Sequence, residues 1–503
     1  MLVIAKSALF REKSHDSLKS NGKERGRMNM NKKTKIAVVP LGHYVYFQQF
    51  DGLREDLMKK TEEFARFLDE TSEIIVTDYV DNVDKAFEVV QELKRKDVDG
   101  AFMLLTTYLP SAVAAPFAIY LDVPQILIAI QPLDHLDYTK CTTYMQLVND
   151  DVCAMPEISG SYVRLGRKMP PCIVAAASQE EEIAKQVHIW QKAIEAKSAF
   201  KYAKIGYLGH TYEGMYDMHT DPTAFSGTFG SHVKMLEMCE LVKYAKETTE
   251  KDIDAKVEVV RETFSIQEPS IDPLTDYVKE EDLRWSARMA CALDRMVEEN
   301  GLTALAYYYK GENNEYENVA ASLIVGNTLL TTSGIPLAGE ADLKTAATML
   351  IMNRIGGGGS FAEIHPFDIE NNCVLIGHDG PHNINISQGK PILRKLKKYH
   401  GKAGSGIGVE FSLKAGEITM LSMNYLPNGR FKLVAATGIS HDGAIPQTGN
   451  TNTRVSFNMP VTEFLRRWCE AGPTHHLALG IGNLIPEIRC FARIMDMELE
   501  VIE

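Results

Sequence analysis

The 503-residue chain lacks the features that mark several classes of protein. It contains no apolar run of 18 residues, so no transmembrane helix and no membrane partner are expected. Its eight cysteines form no CxxC pair, which favours reduced thiols in a cytoplasmic protein over a disulfide framework or a zinc ribbon. Lys and Arg (54) are outnumbered by Asp and Glu (67), and the net charge of −13 argues against nucleic acid as a partner.

Positive charge is concentrated at the start of the chain. The first 35 residues contain ten Lys or Arg and only three acidic residues. The apolar stretch before the first lysine is too short for the hydrophobic region of a signal peptide. We interpret residues 1–34 as a disordered extension, or as the product of an upstream start codon, ahead of the folded chain.

Apolar strands alternate with helical segments after this extension. The runs at residues 36–42, 100–105 and 125–129 are separated by helical periodicity at residues 53–68 and 83–95. This order predicts right-handed crossovers and a doubly wound parallel sheet. The first strand is not followed by GxGxxG, so the dinucleotide-binding fingerprint is missing.

A second α/β pattern and then a β-rich pattern follow. Further strands are predicted at residues 172–176, 205–209, 257–260 and 304–308. After residue 355, short β-like runs between Gly, Asn and Pro predict an antiparallel sheet or barrel. The predicted fold class is therefore two Rossmann-like α/β domains followed by a β-rich, barrel-like domain. The predicted boundaries are residues 35–165, 166–340 and 341–503.

Carboxylates and imidazoles gather beside glycines and strand ends in the last third of the chain. Glu340 ends an apolar segment, Glu363 follows a glycine stretch, His378 follows a β run, and His475 and His476 form a pair. Loops at such positions present side chains to a pocket. Two carboxylates with two imidazoles form a mixed oxygen and nitrogen set, which suits Mn²⁺ or a neighbouring divalent ion.

Spacing alone leaves an alternative open, because no short motif joins these residues. Glu340 could instead cap a helix that starts near residue 341, where the helix dipole favours a negative charge. The glycines would then form a flexible loop, and His475 and His476 would end a helix.

Four segments around these residues, 337–347, 356–363, 374–378 and 471–476, resemble L-arabinose isomerase in order and approximate spacing. The resemblance implies an aldose–ketose isomerase that depends on Mn²⁺, or on Co²⁺ or another divalent metal. Glu340, Glu363, His378 and His476 fall on the metal-ligand positions of that family. Glu340 and Glu363 also fall on its acid/base pair, whereas His475 falls on a position that supports the ligands.

The resemblance also implies a sugar substrate, a role in arabinose catabolism and a homo-oligomer, either a hexamer or a tetramer. Tyr309, which ends a run of three tyrosines at a strand end, is predicted to line the sugar pocket, with packing as the alternative role. Met215, in a polar loop after a strand, is a predicted sugar contact because ligands bind at such ends in α/β folds. His382 could be a ligand if its loop were helical, but Pro381 and Asn383 favour a turn.

Three alternatives remain at this point. An L-fucose isomerase-like enzyme acting on another aldose is the nearest, although Glu363 together with His378 favours the arabinose type of site. A sugar-binding or regulatory relative without turnover is the second. A nucleotide-dependent α/β oxidoreductase is disfavoured because the glycine stretch lacks a strand–turn–helix frame. Residues 43–49, 147–151 and 379–383 depart from the family pattern, so the identity of the aldose stays open.

Overall fold

A computed structural model describes residues 33–310, 314–398 and 404–503. The predicted extension, residues 1–34, lies outside the described residues apart from its last two. Within the described part of the chain, no helix combines the length and the apolar character that crossing a bilayer requires.

The N-terminal sheet is parallel and has helices on both faces. Its strands are β1 (Lys35–Leu41), β2 (Glu73–Val76), β3 (Gly100–Leu105), β4 (Gln125–Gln131) and β5 (Cys172–Ala176), in the spatial order β2-β1-β3-β4-β5. The helices are α1 (Tyr44–Phe47), α2 (Leu53–Ala65), α3 (Val83–Lys96), α4 (Ser111–Tyr120), α5 (Thr143–Val148), α6 (Ala154–Arg164) and α7 (Glu180–Ser198). Strand β3 is buried along its whole length, as its unbroken apolar run predicts for a sheet covered on both faces.

A second, smaller parallel sheet follows. The strand at residues 172–176, predicted as the first strand of this second pattern, is instead β5, which pairs with β4 at the edge of the N-terminal sheet. The segment after α7 contains β6 (Lys204–Gly209), β7 (His232–Leu236), β8 (Ser265–Ile266), β9 (Thr275–Asp276), β10 (Ala304–Tyr308) and β11 (Leu337–Ala338). Four of these strands form the central sheet in the order β11-β10-β6-β7. Its helices are α8 (Pro222–Phe229), α9 (Met238–Glu247), α10 (Glu250–Thr263), α11 (Glu280–Asn300), α12 (Glu315–Ala320) and α13 (Ile324–Thr332).

The strand predicted at residues 257–260 is wrong, because these residues belong to α10. Ile253, Val257 and Val260 are the buried residues of this helix, at the spacing of one helical face. The side chain of Thr249 caps the N-terminus of the helix. The run of β-branched residues is therefore one face of an amphipathic helix and not a buried strand.

In the described residues, the rest of the chain forms three helices, a β-barrel of six strands and three further strands outside the barrel. The helices are α14 (Leu343–Ile355), α15 (Val461–Glu470) and α16 (Ile485–Met495). The strands are β12 (Ser360–Asp368), β13 (Cys373–His378), β14 (Ile392–Leu396), β15 (Gly406–Glu410), β16 (Gly416–Tyr425), β17 (Phe431–His441), β18 (Thr451–Ser456), β19 (His476–Ile481) and β20 (Glu498–Ile502). The order β16-β19-β12-β13-β18-β17 closes through pairing of β17 with β16, and all these pairs are antiparallel. Of the three strands outside the barrel, β14 and β15 form a separate sheet with β8 and β9 of the preceding segment, and β20 pairs in parallel with β17. The predicted fold class is confirmed.

Helix α14 joins the central sheet to the barrel. Most of its residues are buried, so it has no solvent face of the kind that a surface helix shows. Met349 and Leu350 of this helix belong to the same apolar cluster as Ala196 of α7, Ala478 of β19 and Ile488 of α16. The strand ends that flank α14 are therefore attached to a rigid core.

Candidate active site and metal centre

Three of the predicted residues lie on neighbouring strands of the barrel. Glu363 on β12 pairs across the sheet with His476 on β19 and, on its other side, with Gly377 on β13. His378 follows Gly377, and its Nε2 atom lies 3.9 Å from Oε1 of Glu363. The register of the strands, and not closeness in sequence, therefore brings these side chains together.

Glu340 approaches the site from the central sheet. It follows β11 in a short 3₁₀ turn and has φ 56° and ψ 18°. Ala341 has φ 55°, so two consecutive residues with side chains lie in the left-handed region. This conformation costs an L-residue about 1–2 kcal/mol, and such strain is found mainly at functional sites. Oε2 of Glu340 lies 3.5 Å from Nε2 of His476.

The candidate ligand atoms form two groups that share one histidine. Glu340, His475 and His476 each offer an atom within 4.8 Å of the others, and so do Glu363, His378 and His476. The four residues predicted to bind the metal thus converge around His476. His475, predicted to support them, also offers a ligand atom.

A buried aspartate fixes the ring of His476. Oδ2 of Asp342 lies 3.1 Å from Nδ1 of His476, and neither side chain is exposed. Burial alone would raise the pKa of Asp342, but the charge of Lys344 and the contact with His476 hold it well below its ordinary value. Burial lowers the pKa of His476. His476 therefore donates Nδ1–H to the carboxylate and keeps a lone pair on Nε2.

The alternative in which Glu340 caps a helix and the histidine pair ends one is wrong for both. The N-cap of α14 is Asp342, whose side chain accepts hydrogen bonds from the backbone N–H groups of Lys344 and Thr345. Glu340 lies two residues earlier, in the strained turn. His476 begins strand β19 and does not end a helix.

Two acceptor atoms in this site have no hydrogen-bond partner among the described residues: Nε2 of His476 and Oε2 of Glu340. The two side chains are 0% and 13% exposed, which leaves little access for water. An unpartnered buried polar atom costs roughly 1–3 kcal/mol. A divalent cation fits both atoms and the oxygen and nitrogen donors around them.

His378 is held from two directions. Its Nδ1 atom lies 2.9 Å from Oδ1 of Asp379. Burial alone would lower the pKa of His378, but the nearby carboxylates, Asp379 foremost, raise it above its ordinary value. Phe361 packs against this ring and against that of His476, with centroid distances of 4.6 and 4.4 Å. The aromatic side chain limits how far either imidazole can rotate.

His475 is held by the loop after β6. Oδ2 of Asp217 lies 2.7 Å from Nδ1 of His475 and accepts its backbone N–H at 2.9 Å. Burial alone would raise the pKa of Asp217, but these contacts lower it to about 2. Each of the three site histidines thus has its Nδ1 atom against a different aspartate.

The sequence patterns missed these three aspartates. Asp342 and Asp379 stand one or two positions from predicted ligands, and that closeness is the one signal that could have identified them. Asp217 lies 258 positions from His475, so only the folded chain brings it to the site. His365, also missed, follows Glu363 by two positions on β12, and its Nδ1 lies 3.9 Å from Oε1 of Glu363.

A pocket opens beside Glu340 and His378. The aromatic part of its wall is Tyr307, Tyr308 and Tyr309 at the end of β10. The other lining residues are Glu317, Ala320, Ala321, Gly339 and Gly380. Burial raises the pKa of Tyr308 to about 12, so its hydroxyl stays protonated and can donate a hydrogen bond. Tyr309, a predicted sugar contact, thus lies in the wall of this pocket.

Two other candidate residues belong neither to the ligand groups of the described residues nor to the pocket wall. Met215 belongs to the loop that carries Asp217, and its contact with the sugar stays a prediction. His382 is fully buried, with Nδ1 3.4 Å from Oγ of Ser360, and belongs to neither ligand group of the described residues. Burial lowers the pKa of His382 to about 3, so it is a neutral core histidine.

Two family models match consecutive parts of the chain. The L-arabinose isomerase central domain matches residues 218–358, and the L-arabinose isomerase C-terminal domain matches residues 358–498. Together they cover more than half of the chain. The chain belongs to the L-arabinose isomerase family. The family predicted from the sequence segments is confirmed.

Individual relatives in this family have low sequence identity to the chain but align with most of its length. A sulfoquinovose isomerase from Alkalicoccus urumqiensis is 24% identical over 349 residues, 69% of this chain and 75% of that protein. An L-arabinose isomerase from Aeromonas hydrophila is 22% identical over 412 residues, 80% and 81% of the two chains. A sulfoquinovose isomerase from Priestia aryabhattai is 20% identical over 324 residues, 64% and 68%.

These relatives are named as isomerases of two different sugars. The family and its relatives agree with the predicted enzyme class, and this chain is an aldose–ketose isomerase. Because the relatives' names differ in the sugar, they do not decide the substrate.

Proposed function

We propose that this protein interconverts an aldose and its ketose by proton transfer through an enediolate. The supporting observation is the arrangement around His476, which has an unpartnered Nε2 near Glu340 and shares a second ligand group with Glu363 and His378. Two carboxylates and buried imidazoles around one point suit an acid/base pair beside a divalent ion.

Glu340, Glu363, His378 and His476 would hold the ion. Oxygen and imidazole donors without thiolates suit Mn²⁺, with Co²⁺ or another divalent ion as a substitute. When bound, the ion supplies Lewis-acid stabilisation of the negative charge that develops on adjacent sugar oxygens. Asp342 accepts the Nδ1–H of His476 and so turns the Nε2 lone pair toward the ligand groups.

Glu340 and Glu363 form the proposed acid/base pair. One carboxylate removes the proton from C2 of the aldose, which gives the enediolate, and returns a proton to C1. The other carboxylate moves the hydroxyl proton from O2 to O1, which completes the ketose. Positioned acid/base groups of this kind contribute about 10²–10⁴-fold to rate. Phe361, Tyr307 and Tyr308 would limit the access of water to the reacting carbons.

L-arabinose is the proposed substrate, in arabinose catabolism, and Tyr309 and Met215 are the proposed sugar contacts. An L-fucose isomerase-like activity, or activity on sulfoquinovose as the relatives' names suggest, is the alternative. A sugar-binding relative without turnover is the other. The family resemblance further supports a cytoplasmic homo-oligomer, either a hexamer or a tetramer.

The test is a panel of aldoses with the purified full-length protein. The protein is stripped with EDTA, reloaded with Mn²⁺, Co²⁺ or Mg²⁺, and assayed for ketose with L-arabinose, L-fucose and sulfoquinovose. We expect no ketose from the stripped protein and the highest rate with Mn²⁺ or Co²⁺, because the donor set favours these ions.

The variant that tests the ligand groups is His476→Ala, which removes the histidine shared by both groups. It should retain the fold by circular dichroism and bind less metal than the wild type. Loaded wild-type protein that binds an aldose without forming ketose would support the sugar-binding alternative. Loaded protein that neither binds nor converts any of these sugars would refute the proposal.

A further inference from the structure

One loop of the central segment is tied to the site. Residues 210–220, here called the clamp loop, follow β6 and lead into α8. Tyr212 donates its backbone N–H to the carbonyl of Glu340 at 3.3 Å. The buried ammonium of Lys344 donates to the carbonyl of Met218 at 2.8 Å. The clamp loop is therefore attached both to the strained turn and to α14.

A third contact of the clamp loop joins Asp217 to His475. One oxygen, Oδ2 of Asp217, accepts the backbone N–H of His475 at 2.9 Å and lies 2.7 Å from its Nδ1 atom. Both side chains are about one-third exposed, so the contact lies at the edge of the site and not in the apolar core. Because the carboxylate holds the backbone and the ring of the same residue, it restrains the position and the rotation of the imidazole.

This contact decides which nitrogen of His475 is left for the site. With Nδ1–H donated to Asp217, the free atom is Nε2. The ring centroid of His475 lies 3.9 Å from that of His476, and both histidines share a ligand group with Glu340. An imidazole nitrogen at this place can accept a hydrogen bond from a hydroxyl of a sugar bound beside Glu340.

We propose that Asp217 is a positioning residue for His475, which it holds in the orientation that turns Nε2 toward the sugar. Asp217 acts through His475 and does not itself contact the reacting carbons. The effect on turnover rests on the proposed isomerase function, whereas the orientation of the ring does not.

A purely structural role for the clamp loop makes a different prediction, and a second aspartate nearby provides the control. Asp221 lies four positions later and caps α8 by accepting from the backbone N–H groups of Thr223 and Ala224. Asp221→Ala therefore removes an aspartate from the same segment and weakens a helix cap. It leaves the Asp217 contact intact.

The first measurement compares the steady-state kinetics of the Mn²⁺-loaded full chain with Asp217→Ala, Asp217→Asn and Asp221→Ala. We expect Asp217→Ala to lower kcat/KM about 10–100-fold, the usual effect of removing a carboxylate that orients a site imidazole. Asp217→Asn keeps an oxygen acceptor and should restore most of the activity. Asp221→Ala should lower the Tm and leave kcat and KM unchanged. Equal kinetics for Asp217→Ala and Asp221→Ala would overturn the proposal.

The second measurement does not depend on turnover. Long-range ¹H–¹⁵N correlation spectra of histidine-labelled, Mg²⁺-loaded protein at about pH 9, well above the ordinary pKa of an imidazole, report which ring nitrogen carries the proton. His475→Gln identifies the signals of His475. We expect Nδ1–H in the wild type and in Asp217→Asn, and a mixture of tautomers in Asp217→Ala.

An unchanged Nδ1–H signal in Asp217→Ala would overturn the positioning role even if the enzyme is active. Wild-type protein that converts no aldose but shows the expected tautomers would instead refute the proposed function and support the orientation by Asp217.

Discussion

The barrel and the central sheet supply the site from opposite sides and hold their side chains by different means. On the barrel side, Glu363, His378 and His476 occupy three neighbouring strands whose register is set by backbone hydrogen bonds. On the central side, Glu340 lies in a left-handed turn and Asp217 in a loop. The barrel side therefore needs no unusual backbone, whereas the central side depends on strain and on contacts between distant side chains.

The two sides meet at the start of α14. Asp342 caps this helix, follows the turn of Glu340, and accepts a hydrogen bond from His476 of the barrel. The buried carboxylate of Asp342 thus fixes the position of the Glu340 turn relative to strand β19 of the barrel. This difference in construction can be tested at three levels: the chemistry, the charge of the buried core, and the strain of the turn.

The largest expected effect is chemical and should be equal on both sides. Glu340→Gln and Glu363→Gln keep the size and one ligand oxygen but remove the proton acceptor. We expect each to lower turnover about 10²–10⁴-fold, while bound metal falls less than in the alanine variants because an amide oxygen can still coordinate a hard ion. Ketose assays and metal analysis of the purified variants provide the measurements.

Deuterium incorporation sharpens this test. Proton transfer through an enediolate should carry deuterium from D₂O into the ketose, whereas a hydride shift would not. A loss of turnover confined to Glu363→Gln would mean that Glu340, on the central side, transfers no proton in the reaction. Near-normal turnover in both variants would contradict the acid/base assignment.

The second prediction concerns the barrel side and pH. Burial lowers the pKa of His382 to about 3, against an ordinary value of 6.5. Above pH 6.5 the imidazole is neutral in both the folded and the unfolded chain, so its full contribution to stability is present there. As the pH falls from 6.5 toward 3, the unfolded chain takes up a proton that the folded chain excludes, and the free energy of unfolding decreases.

The measurement is the free energy of unfolding by urea at several pH values for the wild type and for His382→Gln. The difference between the two should be constant above about pH 6.5 and should change by up to about 1.4 kcal/mol per pH unit below it. Other titrating groups cancel in this difference. A difference that stays constant down to about pH 4 would mean that the barrel core accommodates a charged imidazole.

Much of the fold follows from local patterns in the sequence. Strands at 100–105 and 304–308 match the structure because unbroken apolar runs bounded by polar or glycine residues are characteristic of buried parallel strands. The strand at 172–176 also forms, but it is a half-exposed strand at the edge of the N-terminal sheet. The segment 257–260 fails because its β-branched residues suit a strand and a helix face equally well. Strand β7 is not among the strands predicted from the sequence. Only two of its five residues are buried, and two of the others are Lys and His, so the apolar pattern is too weak to indicate a strand.

The site is less accessible to such reasoning than the fold. Glu340, Glu363, His378 and His476 stand beside glycines and strand ends, and a family resemblance joins them. The pairing of Glu363 with His476 joins two strands that are far apart in the sequence, and local patterns do not say which distant strands pair. The left-handed turn at Glu340 gives no signal either, because the residues that adopt it are Glu and Ala and not Gly or Asn.

The smallest expected effect concerns that turn. Ala341 has φ 55° and Ala338, three positions earlier, has φ −104°, and both are buried. Changing either residue to glycine removes one buried methyl group and gives the unfolded chain the same extra freedom. Only Ala341→Gly also relieves a left-handed conformation, which costs an L-residue about 1–2 kcal/mol. We therefore expect Ala338→Gly to be less stable than Ala341→Gly by about that amount in urea unfolding monitored by circular dichroism. Equal destabilisation by the two changes would mean that the turn stores no strain, and that the central side of the site is held as the barrel side is, by ordinary backbone geometry.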